Sequence, residues 1–228
     1  VPDQFAKFPR TPHLFWLGSG SLRDDKLLDP AEADRLLREP LSVEEKVDGA
    51  NLGISLGPDG RLRAQSRGHY LPTGTGGQWQ PLWRWLALRD AALRSGLAGL
   101  IAFGEWCHAR HTVSYDALPD WFLLFDLFDR VAGAFWSRER RDAFAAERGL
   151  HVAPLLGQGR QTRKALEKLL ASRSRVGIAQ VEGVYLRWDR GDWLAARAKV
   201  VREGWVMADD EHWSARPLEV NCLAGAMK

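Results

Sequence analysis

Apolar and polar positions alternate with a period near two through LSVEEKVDGA (41–50), NLGISL (51–56) and RLRAQS (61–66), which predicts strands. GPDG (57–60) joins the last two as a hairpin. Denser runs rich in aromatic and branched residues, LIAFGEW (100–106) and WFLLFDLF (121–128), read as buried strands. VEGVYLRW (181–188) and WLAARAKVV (193–201) form another strand pair across DRGD, and HVAPLL (151–156) looks extended. Helical spacing appears in DPAEADRLLRE, with Asp29 as cap, Pro30 in the first turn and Pro40 as the stop. WQPLWRWLALRDAALRSG predicts a helix closed by Gly96, and SRERRDAFAAERG and TRKALEKLLAS are amphipathic helices opened by a hydroxyl residue. Residues 1–28 read as loop, and 209–228 have no clear period. With no internal repeat or linker, the pattern predicts one α+β domain over 1–228 with mainly antiparallel sheets flanked by helices.

A hydrophobic share of 45% with 27% charged residues excludes a disordered chain. The 11 Trp recur in aromatic-basic settings such as QWQPLWRW and YLRWDRGDW, where core is the default reading and base stacking the alternative. A net charge of +3 permits a polyanionic partner without demanding one. The basic runs RERR and RQTRK lie in helical stretches and read as solvated faces. Two cysteines, Cys107 and Cys222, are too few for a disulfide framework or a thiolate zinc site, and a zinc site from Cys107, His108 and His111 lacks a fourth ligand. Without a signal-type or membrane-spanning apolar run, a cytoplasmic protein is expected.

Lys46, within VEEKVDGANLG, carries the chemical question. It reads either as a lysine paired with Glu44 or Asp48, or as a nucleophile. A free lysine titrates near 10.4, so a nucleophile must be held neutral by burial or by nearby positive charge, which Arg197 and Lys199 supply if the strands meet. Lys-x-Asp-Gly alone arises by chance in about one chain of this size in twenty.

Further segments follow in order: EKVDGAN (45–51), SRG (66–68), FGEW (103–106), FLLFD (122–126), VEGVYLRW (181–188) and RAKVVR (197–202). This series resembles the covalent nucleotidyltransferases, the superfamily of ATP-dependent ligases and capping guanylyltransferases. It spans the motif-bearing core at 42–202, between a short N-terminal segment (1–41) and a tail (203–228). Gly49 is followed by Ala50 and Asn51, whereas DNA ligases and capping enzymes usually carry Arg two residues after that glycine. The resemblance is therefore nearest to ATP-dependent RNA ligases of the RNA-editing-ligase-like branch. FPRTPHLFWLGS, SRGHYL, GEWCHARHTVSYD and EHWSARP look like a compact bacterial group of them.

The resemblance implies a nucleotidyltransferase (adenylyltransferase) domain that uses ATP with Mg²⁺ or Mn²⁺. Lys46 would attack the α-phosphorus, become lysyl-AMP, and pass AMP to an RNA 5′-phosphate, from which a 3′-OH end would displace it. It sets Glu45 on the adenine amino group, Phe125 against the base, Arg67 and Glu105 on the ribose, and Asp48 and Asn51 near the phosphate or the lysine. Glu182 would help place a hydrated metal, with Glu105 acting through water. Arg197 and Lys199 would face the α-phosphate, with more weight on Lys199 because Arg stands where some relatives have Lys. His108, His111 and Tyr115 read either as 5′-phosphate contacts or as loop hydrogen bonds. Neither flank has room for an OB-fold, which implies weak intrinsic RNA affinity, a simple or pre-bound substrate, or a clamp supplied by an RNA end-processing or RNA-binding partner. A DNA ligase, another adenylyltransferase, or an inactive nucleic-acid-binding subunit are the alternatives.

Overall fold

The computed structural model describes residues 5–18, 26–202 and 217–225. Two mainly antiparallel sheets lie at its centre. The smaller has the order β11(Trp193–Val201)-β10(Gly183–Arg190)-β1(Leu41–Lys46)-β9(Leu155–Gly159). The larger runs β4(Tyr70–Leu71)-β3(Leu62–Gln65)-β2(Ala50–Leu56)-β5(Leu100–Trp106)-β6(Phe122–Asp129)-β7(Ala134–Phe135), with β8(His151–Val152) parallel to β6. Helices α1(Pro30–Leu37) and α4(Arg163–Leu170) pack on the smaller sheet; α2(Gln80–Arg94) and α3(Arg138–Glu147) pack on the larger.

Period-two alternation splits the smaller sheet into two unlike faces. Leu41, Val43, Val184, Leu186, Ala198 and Val200 bury against Leu36 of α1 and Leu166 and Leu170 of α4. Opposite them the register lines up Ser42, Arg187 and Arg197 in one row and Glu44, Tyr185 and Lys199 in the next, with Lys46 beside Gly183. That polar face turns towards the larger sheet.

The expected strand 41–50 is two strands. β1 ends at Lys46, residues 47–49 cross between the sheets, and β2 starts at Ala50. The crossing explains Gly49, because a Cβ there would stand 2.6 Å from the Trp106 carbonyl oxygen. The 57–60 hairpin, the long aromatic strands and the four helices form as expected, with Asp29, Ser137 and Thr162 each accepting a capping N–H. Gly96 follows the end of α2 without adopting positive φ; its service is space, since a Cβ would lie 1.9 Å from Arg148 Nε.

A β-bulge in β6 decides what faces the cleft. Phe103 pairs with Asp126 and Gly104 with Leu124, so Phe125 is the extra residue. Phe125 and Asp126 thereby both turn to the smaller sheet, while Phe122, Leu124 and Leu127 stay in the α2 core. Bulges re-aim side chains in this way beside functional sites.

Residues 5–14, expected as loop, lack regular structure but span both sheets. The Ala6 carbonyl accepts from Gln65 Nε2 at 2.9 Å, Phe8 is buried against Phe103, Phe125 and Phe135, and residues 12–14 bond to Lys199 of β11. Among the described residues, no helix is long and apolar enough to cross a membrane.

Candidate active site

Lys46, at the end of β1, opens into a narrow cleft between the sheets with a cavity volume of about 50 Å³. That is below the usual range for small-molecule sites, roughly 300–1,000 Å³, so a ligand of that class needs the sheets or their side chains to move apart. Of the residues singled out in the sequence, Glu45, Asn51, Arg67, Glu105 and Phe125 also line it.

The lysine is not neutral here, and this corrects the sequence expectation. Its Nζ donates to Glu182 Oε1 at 2.5 Å. Burial pulls the lysine pKa down, but its carboxylate neighbours, Glu182 foremost, outweigh it and hold the ammonium well above the ordinary lysine range. The strands bearing Arg197 and Lys199 do meet β10, yet the carboxylates prevail. Neither Glu44 nor Asp48 is the lysine's hydrogen-bond partner: Glu44 is buried on Arg141, and Asp48 Oδ2 accepts from the backbone N–H groups of Thr112 at 2.7 Å and Val113 at 2.9 Å.

Burial also pushes Glu105 up to about 8, against the opposing pull of Lys46, and Glu105 Oε1 accepts from Gly49 N–H at 3.1 Å. Glu182 is raised by burial too, with the Lys46 and Lys199 charges working against it. Its second oxygen, Oε2, is buried without a hydrogen-bond partner, as is Asn51 Oδ1. Buried oxygens of this kind are ordinarily completed by ordered water, an ion or a ligand.

Glu45 points to the opposite face of β1. Its carboxylate accepts from Ser174 Oγ at 2.5 Å and from Arg175 N–H at 2.8 Å, which fastens the 172–176 loop to the residue before the lysine. Arg197 lies in a neighbouring pocket with Phe8 and Asp126 rather than in the Lys46 cleft. Its guanidinium donates to Asp126 at 2.5 Å and sits 4.6 Å from the Phe8 ring centroid and 4.1 Å from that of Phe135. Lys199 is paired with Tyr185 across the strands, and its charge acts on Glu182.

Sequence reasoning passed over several participants. Tyr185 lines the cleft, its ring 6.3 Å from that of Phe125 and inclined by 35°. Alternation along β10 was the available signal, since Gly183, Tyr185 and Arg187 share one face while Val184 and Leu186 take the apolar one. Arg141 was read as part of a solvated helix face but is fully buried. It makes a bidentate pair with Glu44, at 2.5 and 3.0 Å, and donates to the Phe125 carbonyl at 2.7 Å. Arg187 reaches the same carbonyl at 3.1 Å and pairs with Asp126. Tyr115 is buried too, its hydroxyl accepting the Asp48 N–H at 2.8 Å, so it holds up the crossing peptide instead of meeting substrate. Asn221, from the stretch without a clear period, accepts from Tyr115 N–H at 2.9 Å and donates to the Cys107 carbonyl at 2.8 Å. Both bonds anchor the 107–115 loop. His111 bonds to Gln78 at 2.9 Å, and EHWSARP lies outside the described residues.

Comparison with known proteins bears on this geometry. The RNA ligase family model matches residues 39–207, most of the chain and every motif of the cleft. The chain belongs to the RNA ligase family. Solved structures of Naegleria gruberi RNA ligase are similar to it in fold. A variant with ATP and Mn has a TM-score of 0.63 at 14% identity, over 88% of this chain and 57% of that one. A variant with AMP and Mn gives 0.60 at 14% identity, and an apo variant 0.61 at 17%, both over the same shares of the two chains. This RNA ligase family chain thus spans less than two thirds of the length of those proteins. No curated protein matches the sequence.

Proposed function

We propose that this chain is an ATP-dependent RNA ligase whose 1–228 region forms a nucleotidyltransferase domain of the RNA-editing-ligase-like branch, compact bacterial type. The observation that carries the reading is Lys46 in the inter-sheet cleft, held at 2.5 Å by a glutamate whose other oxygen has no partner. The Naegleria structures with ATP or AMP and Mn, and the family match, support the same nucleotide chemistry.

Phe125 and Tyr185 both line the cleft, and the Phe125 ring is suited to stack on the base. Arg67 and Glu105 line the same cleft and are suited to the ribose. Lys46 loses a proton before it attacks, with Glu182, hydrogen-bonded to its Nζ, as the acceptor within reach, and the freed amine attacks the α-phosphorus. The bond to the β-phosphate oxygen breaks, pyrophosphate leaves, and Lys46 carries AMP. Lys199 offsets charge on the α-phosphate. AMP then passes to an RNA 5′-phosphate, and a 3′-OH end displaces it.

Among the described residues no group of three or more His, Cys, Asp or Glu side chains forms a direct metal cage. The orphaned Glu182 Oε2 nevertheless fits a hydrated Mg²⁺ or Mn²⁺ ion, which Glu182 would hold, with Glu105 as a second carboxyl that would act through water. When bound, such an ion would neutralise phosphate charge.

Incubation with ATP labelled in the α-phosphate should mark the wild-type chain covalently and leave Lys46→Ala unmarked. No label across pH and both metals would refute the reading. A preference of the adenylylated chain for all-DNA nicks would move the acceptor from RNA to DNA.

A further inference from the structure

The β4 edge of the larger sheet carries charge that the cleft chemistry does not use. Residues 5–10 and 57–71 contain Lys7, Arg10, Arg61, Arg63 and Arg67 against one acid, Asp59. They are neighbours in space. The Ala6 carbonyl is bonded to Gln65 of β3, and the Phe5 ring stands edge-on to Tyr70 of β4 at 5.2 Å. The Arg63 guanidinium lies 5.6 Å from the Tyr70 ring centroid. Lys7, Arg10, Arg61 and Arg67 are exposed. Arg67 belongs both to this edge and to the lining of the Lys46 cleft, so the basic strip is continuous with the reaction site.

We infer that the β3–β4 edge, with residues 5–10 laid beside it, is the track along which a single-stranded RNA segment reaches the Lys46 cleft. The inference rests on the RNA ligase reading. Lys7, Arg61 and Arg63 meet successive phosphates, and Phe5 and Tyr70 offer ring surface to bases, the combination that binds single strands without sequence preference. Arg67 hands the terminal phosphate to the cleft.

Fluorescence anisotropy of a dye-labelled single-stranded RNA bearing a 5′-phosphate, with the full chain and no ATP, tests this. Lys7→Glu with Arg61→Glu should weaken binding by about tenfold or more at low salt and flatten the log–log salt slope by about 1.4, two lost phosphate contacts at about 0.7 each. Lys164→Glu with Lys168→Glu makes the same charge change on α4, across the smaller sheet, and should shift affinity by less than about threefold. Equal losses from the two pairs, an unchanged affinity in the first, or no binding by the wild type would overturn the track. Labelling of Lys46 from ATP should persist in both variant pairs. Absence of labelling in the wild type would instead count against the ligase chemistry, leaving the binding result to stand or fall separately.

Discussion

Arg141→Met should be among the most damaging substitutions in the chain, although the residue touches neither nucleotide nor RNA. The guanidinium is buried, bidentate on Glu44 of the smaller sheet, and bonded to the Phe125 carbonyl of the larger. Burial works to lower its pKa, but the Glu44 charge overrides this and keeps the guanidinium charged. Removing one member strands the other: Glu44, 2% exposed, would keep its charge with no partner of comparable geometry. Breaking a buried pair in this way costs about 3–5 kcal/mol. With a urea m-value of about 3 kcal/mol/M, the unfolding midpoint should fall by about 1 M or more. Replacing both residues by Met removes the stranded charge. Asp142 keeps Arg138 and the Phe125 carbonyl keeps Arg187, so the double variant should recover most of the loss. A double-mutant cycle from urea melts would then give a coupling of at least about 2 kcal/mol. Additive costs, or a loss under about 1 kcal/mol in the single variant, would refute the account of the pair as an uncompensated-charge problem.

Other substitutions test the site itself. Tyr115→Phe removes the acceptor of the Asp48 N–H; lysyl-AMP formation should slow about tenfold with KM for ATP nearly unchanged, and a KM effect alone would contradict a positioning role. Glu182→Gln removes the largest charge holding Lys46 protonated, so the pH midpoint for modification of Lys46 by an amine-specific reagent, read by mass spectrometry, should move down; an unmoved midpoint would discount the pairing. Glu105, raised from 4.5 to about 8, binds more protons folded than unfolded between those values. Its contribution is complete below pH 4.5 and is lost as pH rises through about 8, so Tm should fall over that window and Glu105→Gln should flatten the decline.

Most of the strands and helices were legible because hydrophobic period and caps are local properties. Lys46, Glu182 and Lys199 were legible for a different reason: a series of motifs in fixed order stands in for contacts that no local pattern contains. Phe125 and Asp126 mark the limit. Strict alternation would set them on opposite faces of β6, and only a bulge, invisible in WFLLFDLF, turns both to the cleft. Arg141 was misread because an arginine on an amphipathic helix is ordinarily solvated, and its buried partner lies 97 residues away in Glu44. Asn221 was obscure for the same reason, its partner Tyr115 lying 106 residues away, whereas loop hydrogen bonding was one of the two readings of Tyr115 itself.

The two sheets meet through charge as well as through apolar packing, and that choice bears on catalysis. Phe8, Phe103 and Phe125 supply only a small apolar cluster between them. Glu44–Arg141 and Arg187–Asp126–Arg197 fill much of the rest, and each chain of bonds ends on or beside the Phe125 backbone. Directional bonds fix the distance between Phe125 and Tyr185 more tightly than sliding apolar surfaces would. Arg197 is held between two phenyl rings and a carboxylate, and so serves this spacing in the ligand-free protein. Lys199 is then left as the terminal-motif cation nearest the carboxylate that grips Lys46. Division of labour between the two positions explains why a planar guanidinium suits the first, where it must stack and pair at once, while a point charge suits the second.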